Sequence, residues 1–163
     1  MKLILVVMQP PAPVMEAMCE HTCELAPALE HVQDAHVLSR CVTPEGSVVC
    51  RQRWRARATV PALLSPHLED GLLDWTLTFE RQPGARQCRW HAESAAVQVP
   101  GRCNGTLEAM PAAGGRGTRI ELCCEFAAAN EGLRTIFTAL LAHHWRSLAE
   151  AAASRVAATL PAT

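Results

Sequence analysis

Polar and apolar residues alternate most strictly between Ser47 and Val60. Val48, Cys50, Gln52, Trp54, Ala56, Ala58 and Val60 fall on one face, and Arg51, Arg53, Arg55 and Arg57 on the other. A period of two predicts a long strand with one buried and one arginine-coated face. The same alternation returns three times. Trp75, Leu77 and Phe79 point inward in 75–81, Cys88, Trp90 and Ala92 in 87–94, and Ile120, Leu122, Cys124 and Phe126 in 118–127. Lys2–Met8 is a continuous apolar run that reads as a first strand, and Ala35–Val42 alternates imperfectly. Val97–Met110 reads as a further strand, in which Gly101 and Gly105 suggest a bulge or a sharp bend. Turn residues separate these runs at Pro44-Glu45-Gly46, Pro83-Gly84 and Gly114–Gly117. Ala62–Leu73 is apolar but irregular, a loop or a short helix.

Two stretches carry a helical period instead. Pro10–Pro13 breaks the first strand, and Val14–Leu29 then suits a helix or two short ones, with Pro27 opening the second. From Glu131 to Leu160 apolar residues recur at Leu133, Ile136, Phe137, Leu140, Leu141, His144, Trp145, Leu148, Ala151 and Ala152. Arg134, Thr138, Arg146, Glu150 and Ser154 occupy the other face, no Pro interrupts, and Asn130 is a plausible N-cap. Such a helix spans roughly 40 Å and needs a large sheet to bury its apolar face. The order β, α, α, about six strands in meander, then a long α predicts an α+β domain with an antiparallel sheet. The 163 residues contain no linker that would divide them.

Composition narrows the function classes. The formal net charge of −1 leaves no basic field for nucleic acid, and the absence of Tyr removes one kind of stacking platform. No run approaches the 18 or so apolar residues of a membrane span. Residues 1–13 lack the long apolar core of a secretory leader, so the eight Cys are expected to be reduced and the protein cytoplasmic.

Element order, the APVMEAM helix after strand one, the GRCNGTLEAMPAAGGRGTRIEL hairpin and the terminal helix with Trp145 resemble the START-like helix-grip superfamily, also called SRPBCC. The resemblance covers nearly the whole chain. It implies a curved antiparallel sheet of about seven strands wrapped around the C-terminal helix, with two short helices after strand one. It also implies a cavity between sheet and helix that takes lipids, sterols, polyketides or other apolar molecules. No short catalytic signature defines the superfamily, so it implies fold more than function.

The residues expected to line that cavity are Gln52, Trp54, Trp75, Leu77, Phe79, Arg81, Trp90, Leu122, Phe126, Phe137, Leu140, Leu141 and His144. The large rings among them could plug the space or line a pocket. His144 sits in the apolar stripe of the long helix and is the candidate for a hydrogen-bonding or basic group inside. Gln52 is the other polar residue expected inward, and Arg81 lies at its strand end near a possible mouth; either could anchor a carboxylate or a carbonyl. Cys19-x3-Cys23 with His21 between is a poor metal set, because His21 points away from the cysteine face of a helix and no second pair completes it. No metal or cofactor is expected. The arginine row invites cross-strand pairing with Glu80, Glu93, Glu121 and Glu125.

Three functions follow. The leading one is non-enzymatic binding or transport of an apolar small molecule. The second is an enzyme resembling polyketide cyclases or dehydratases, with His144 as base and Arg81 or Gln52 polarising a carbonyl. The third is a protein-interaction module resembling chaperone-ATPase activators, which needs no deep cavity. An exposed edge strand could also make a homodimer.

Overall fold

The computed structural model describes residues 1–57, 74–94, 102–126 and 131–159. The expected loop at 62–73, the glycine at 101 and the Asn130 cap lie outside the described residues. So do the side chains of Phe126 and Phe137.

The elements are β1 (Lys2–Val7), α1 (Pro11–Cys19), α2 (Thr22–Leu25), a 3-10 turn (Ala26–Ala28), β2 (Val32–Val42), β3 (Val48–Ala56), β4 (Asp74–Arg81), β5 (Gln87–Ser94), β6 (Arg102–Ala112), β7 (Gly117–Phe126) and α3 (Glu131–Thr159). The seven strands form one curved antiparallel sheet in the order β1-β7-β6-β5-β4-β3-β2. Strands β2 to β7 pair in chain order, each with the next, and β1 closes the far edge against β7. The short helices therefore carry the chain from one sheet edge to the other. Helix α1 begins three residues earlier than its apolar pattern, at Pro11, because proline fits the first turn, where its missing N–H has no partner to lose. Gly46 and Gly84 hold the two hairpin turns expected of them, at φ of 84° and 74° that L side chains rarely adopt.

Alternation sorts the sheet as its periodicity predicts. Cys50, Gln52, Trp54, Leu77, Phe79, Cys88, Trp90, Leu107, Ala109, Ile120, Leu122 and Cys124 are buried on the inner face. Helix α3 packs against α1, α2 and β1. Among its described side chains the buried ones are His144, Trp145, Leu148, Ala149, Ala152 and Val156. The apolar ones join Val14, Met15, Met18 and Cys19 of α1 in one core.

Gly105 marks no bulge. Strand β6 keeps its register with β5 and β7 through that position. The glycine makes room: it lies directly opposite Trp90, and a Cβ there would stand 2.6 Å from the indole and 2.3 Å from the Cys123 carbonyl oxygen.

The outer face also differs from its expected pairing. Arg53 and Arg55 both bind Asp74, the first residue of β4, with Arg53 Nη2 at 2.5 Å and Arg55 Nε at 2.8 Å. The Asp74 carboxyl is held at about 2, by the Arg55 hydrogen bond first and against the opposing effect of burial. Glu121, expected to serve the arginine row, pairs with Lys2 and Arg119 instead. All eight cysteines are free thiols, and Cys19 is buried. Among the described residues no helix is long and apolar enough to cross a membrane, and no group of three or more His, Cys, Asp or Glu could hold a metal.

Candidate functional site

From Trp145 onward α3 buries a continuous stripe. Before His144, among the residues whose side chains are described, Thr135, Ala139 and His143 are exposed and Thr138, Leu141 and Ala142 half-buried. Leu140 shares the stripe of His144 by helical spacing but is 57% exposed, so it is not the buried lining residue that its position in the pattern suggests. The facing sheet residues are open to a similar degree. Ala35, Ala56, Trp75, Ala92 and Ser94 all belong to the inner face, and all are half-buried.

His144 stands where the two surfaces come together. Its ring lies edge-on to Trp54 and Trp75 at centroid distances of 5.4 and 5.8 Å, and these two indoles stack at 18° to one another. On its other side is Trp145, at 6.0 Å, which in turn meets Trp90 at 5.0 Å and Phe79 at 6.2 Å. Leu77 and Leu122 are buried in the surrounding core.

The three polar residues expected in this space have different fates. Gln52 is saturated by its own strand: Oε1 accepts from Trp54 Nε1 at 3.0 Å, and Nε2 donates to Cys50 Sγ. Arg81 is buried rather than at a rim. It forms an ion pair with Glu20 at the end of α1 and donates to the Ala85 carbonyl. Six residues along β4 from Trp75, it lies about 20 Å from that end of the strand, and two residues from Phe79, which meets Trp145. Of the three, Arg81 and His144 each keep a buried polar atom without a partner among the described residues, Nε and Nε2 respectively. The Nδ1 of His144 faces His31 Nε2 at 2.9 Å, so its Nε2 points away from His31. Burial, with smaller contributions from His31 and His143, pushes its pKa down to about 3, so the ring is neutral at physiological pH.

His31 has no forewarning in the sequence. It lies between the 3-10 turn and β2, 113 positions from its partner, in a stretch without clear periodicity. The nearest hint is the adjacent pair His143-His144, which sets two imidazoles beside it.

A separate open hollow of about 890 Å³ crosses the outer face, lined among others by Thr78, Glu80, Arg89, His91, Asn104 and Thr106. Met1, Val49, Trp90, Cys123 and Cys124 also line it, so its surface mixes apolar and charged groups.

No protein-family model matches the sequence, and no curated protein matches it. Solved structures do. The protein TTHA0849 from Thermus thermophilus superposes with a TM-score of 0.67 at 22% identity, covering 98% of both chains. Ara h 8.0201 gives 0.63 at 14% identity, over 98% of this chain and 97% of its own. Norcoclaurine synthase from Thalictrum flavum gives 0.60 at 11%, over 96% and 85%. At these identities the likeness is one of fold, and it agrees with the strand order and the terminal helix: the chain has a helix-grip fold.

Proposed function

We propose that the protein binds a small apolar molecule, of lipid or polyketide-like character, between the inner sheet face and the N-terminal half of α3. The observation that carries this reading is His144 Nε2, a buried polar atom without a partner among the described residues, set among the indoles of Trp54, Trp75 and Trp145. Buried polar groups in folded proteins are almost always hydrogen-bonded, so an orphan beside a half-open apolar surface calls for a guest. Trp54 and Trp75 supply a stacked aromatic wall, and Leu141 one side of the entrance.

An enzyme resembling cyclases is the weaker reading. Norcoclaurine synthase shares the fold, but a general base works best with a pKa near the operating pH, and His144 is held near 3. Arg81, its expected electrophilic partner, is engaged in an ion pair with Glu20.

Titration with N-phenyl-1-naphthylamine, an uncharged apolar fluorophore, tests the binding reading. Saturable one-to-one binding that quenches tryptophan emission, and that weakens about tenfold or more in Trp75→Ala, is expected. Absence of saturable binding, or binding indifferent to Trp75, would refute it.

A further inference from the structure

We propose that the open edge of β1 is a self-association surface, at which a second copy of this chain adds its own β1 antiparallel and the two sheets become one across a two-fold axis. The proposal is independent of the binding reading above.

Strand β1 ends the sheet, with β7 on one side and, among the described residues, no strand on the other. The phase of its hydrogen bonds is set at Met1, whose N donates to the Cys124 carbonyl at 2.7 Å and whose carbonyl accepts from Cys124 N at 2.9 Å. In an antiparallel pair such doubly bonded positions alternate with unbonded ones. Leu3, Leu5 and Val7, opposite Leu122, Ile120 and Thr118, therefore spend their N–H and C=O groups on β7. Those of Lys2, Ile4 and Val6 point to the open edge and have no backbone partner among the described residues. The same side chains lie on the outer face, where Ile4 is 47% and Val6 61% exposed, and Met8 extends the apolar stripe. Natural edges are commonly blunted by bulges, prolines or inward charges. Strand β1 keeps an unbroken register from Lys2 to Val7, carries no proline, and turns Leu3 and Leu5 against the core.

A second copy is the occupant that this edge fits. With Ile4 set opposite the second copy's Ile4, Lys2 falls opposite its Val6 and Val6 opposite its Lys2. All three positions then meet residues of the same outward phase, each pair exchanging both N–H···O bonds. The outer face gains an apolar centre, isoleucine against isoleucine with valine beside it, and no like charges stand opposite each other. Lys2, the one charge of the strand, already pairs with Glu121 of its own sheet. Centring on Leu5 would need Met8 in the ladder, but the chain bends there. The other edge, β2, also exposes Val37, Leu38 and Val42, yet its register breaks between Val32 and Asp34 and between Val37 and Ser39. A β1-to-β2 contact would moreover repeat without closing. The six residues of β1 run about 20 Å, so edge pairing buries a few hundred Å² per copy, below the roughly 800 Å² of a stable interface. The dimer is therefore weak and reversible, with a Kd on the order of 10–100 μM.

Sedimentation velocity of the full chain from about 5 to about 500 μM spans that range. The wild type is expected to pass from monomer to dimer. Ile4→Lys sets two like charges on the two-fold axis and should stay monomeric throughout, whereas Val37→Lys on β2 should dimerise as the wild type does. Far-UV circular dichroism reports that both variants are folded. Hydrogen exchange of the wild type, read by mass spectrometry, needs no variant and decides the matter if Ile4→Lys fails to fold. The fast-exchanging amides of residues 1–8 should slow about threefold or more between the lowest and highest concentration, while those of β2 stay unchanged. A wild type still monomeric at about 500 μM, or a dimer that persists in folded Ile4→Lys, overturns the proposal. So does slowed exchange in β2 with residues 1–8 unchanged.

Discussion

The two halves of α3 belong to one uninterrupted helix with one apolar stripe, yet they live in different surroundings. Leu148 is fully buried, whereas Leu140, two turns earlier on the same stripe, is 57% exposed. The C-terminal half closes a core with α1 and the sheet; of the N-terminal half, the described side chains before Leu141 are exposed or half-buried. His144 and Trp145 mark the border, the first beside the half-open space and the second fully packed.

This contrast predicts unequal costs for the same substitution. Leu148→Ala should lose about 3 kcal/mol or more, since a fully buried leucine leaves a cavity that its neighbours only partly fill. Leu140→Ala should lose no more than about 0.5 kcal/mol, as expected of an exposed position. Urea unfolding of both variants reads the difference directly. Comparable losses would mean that the N-terminal half is packed as tightly as the other, and that no room exists beneath it.

Acid should act on the border itself. Unfolded, His144 titrates near 6.5; folded, near 3. On acidification the unfolded chain therefore binds the proton first. The contribution of neutral, buried His144 is complete above about pH 6.5 and is lost as pH falls from there toward 3. The slope from this group is at most about 1.4 kcal/mol per pH unit. His31 adds in the same direction, because burial and His143 lower its pKa too. His144→Phe should remove most of the loss seen between pH 7.5 and pH 5. An unchanged pH dependence in that variant would show that His144 is not held neutral.

How much of this could be read from the chain depends on how local each feature is. The strands, their inward residues and the long helix follow from periods of 2 and 3.6, and the inward set Trp54, Leu77, Phe79, Trp90 and Leu122 is buried as alternation requires. The half-open end does not follow, because helical spacing states which residues share a face and says nothing of how far that face stands from the sheet. Parity places Arg81 inward correctly; its partner Glu20 comes from 61 residues away and turns an expected anchor into a structural ion pair. Gln52 is likewise legible as inward, but the Trp54 indole two residues on consumes its oxygen.

Asp74 offers the gentlest probe of the same contrast, since the half-open end is clasped from outside by charge rather than by apolar burial. Alternation begins visibly at Trp75, so Asp74 reads as the residue before a strand; in the sheet it is the first residue of β4 and lies opposite Arg55. Its carboxylate holds Arg55 through two bonds, Nε to Oδ1 at 2.8 Å and Nη2 to Oδ2 at 3.2 Å, and also holds Arg53. Both arginines are about half exposed, so water and salt screen the pair. Asp74→Asn should therefore cost only about 1 kcal/mol at low ionic strength, less in high salt, while a Leu148→Ala loss persists under both conditions. The depressed carboxyl pKa sets the acid limit: this contribution is present above about 3.8 and disappears as pH falls through about 2. Unfolding free energies of the variant at low and high salt provide the check. A loss as large as that of Leu148→Ala, or one insensitive to salt, would show that the open end is held as firmly as the closed one and that the two halves differ only in exposure.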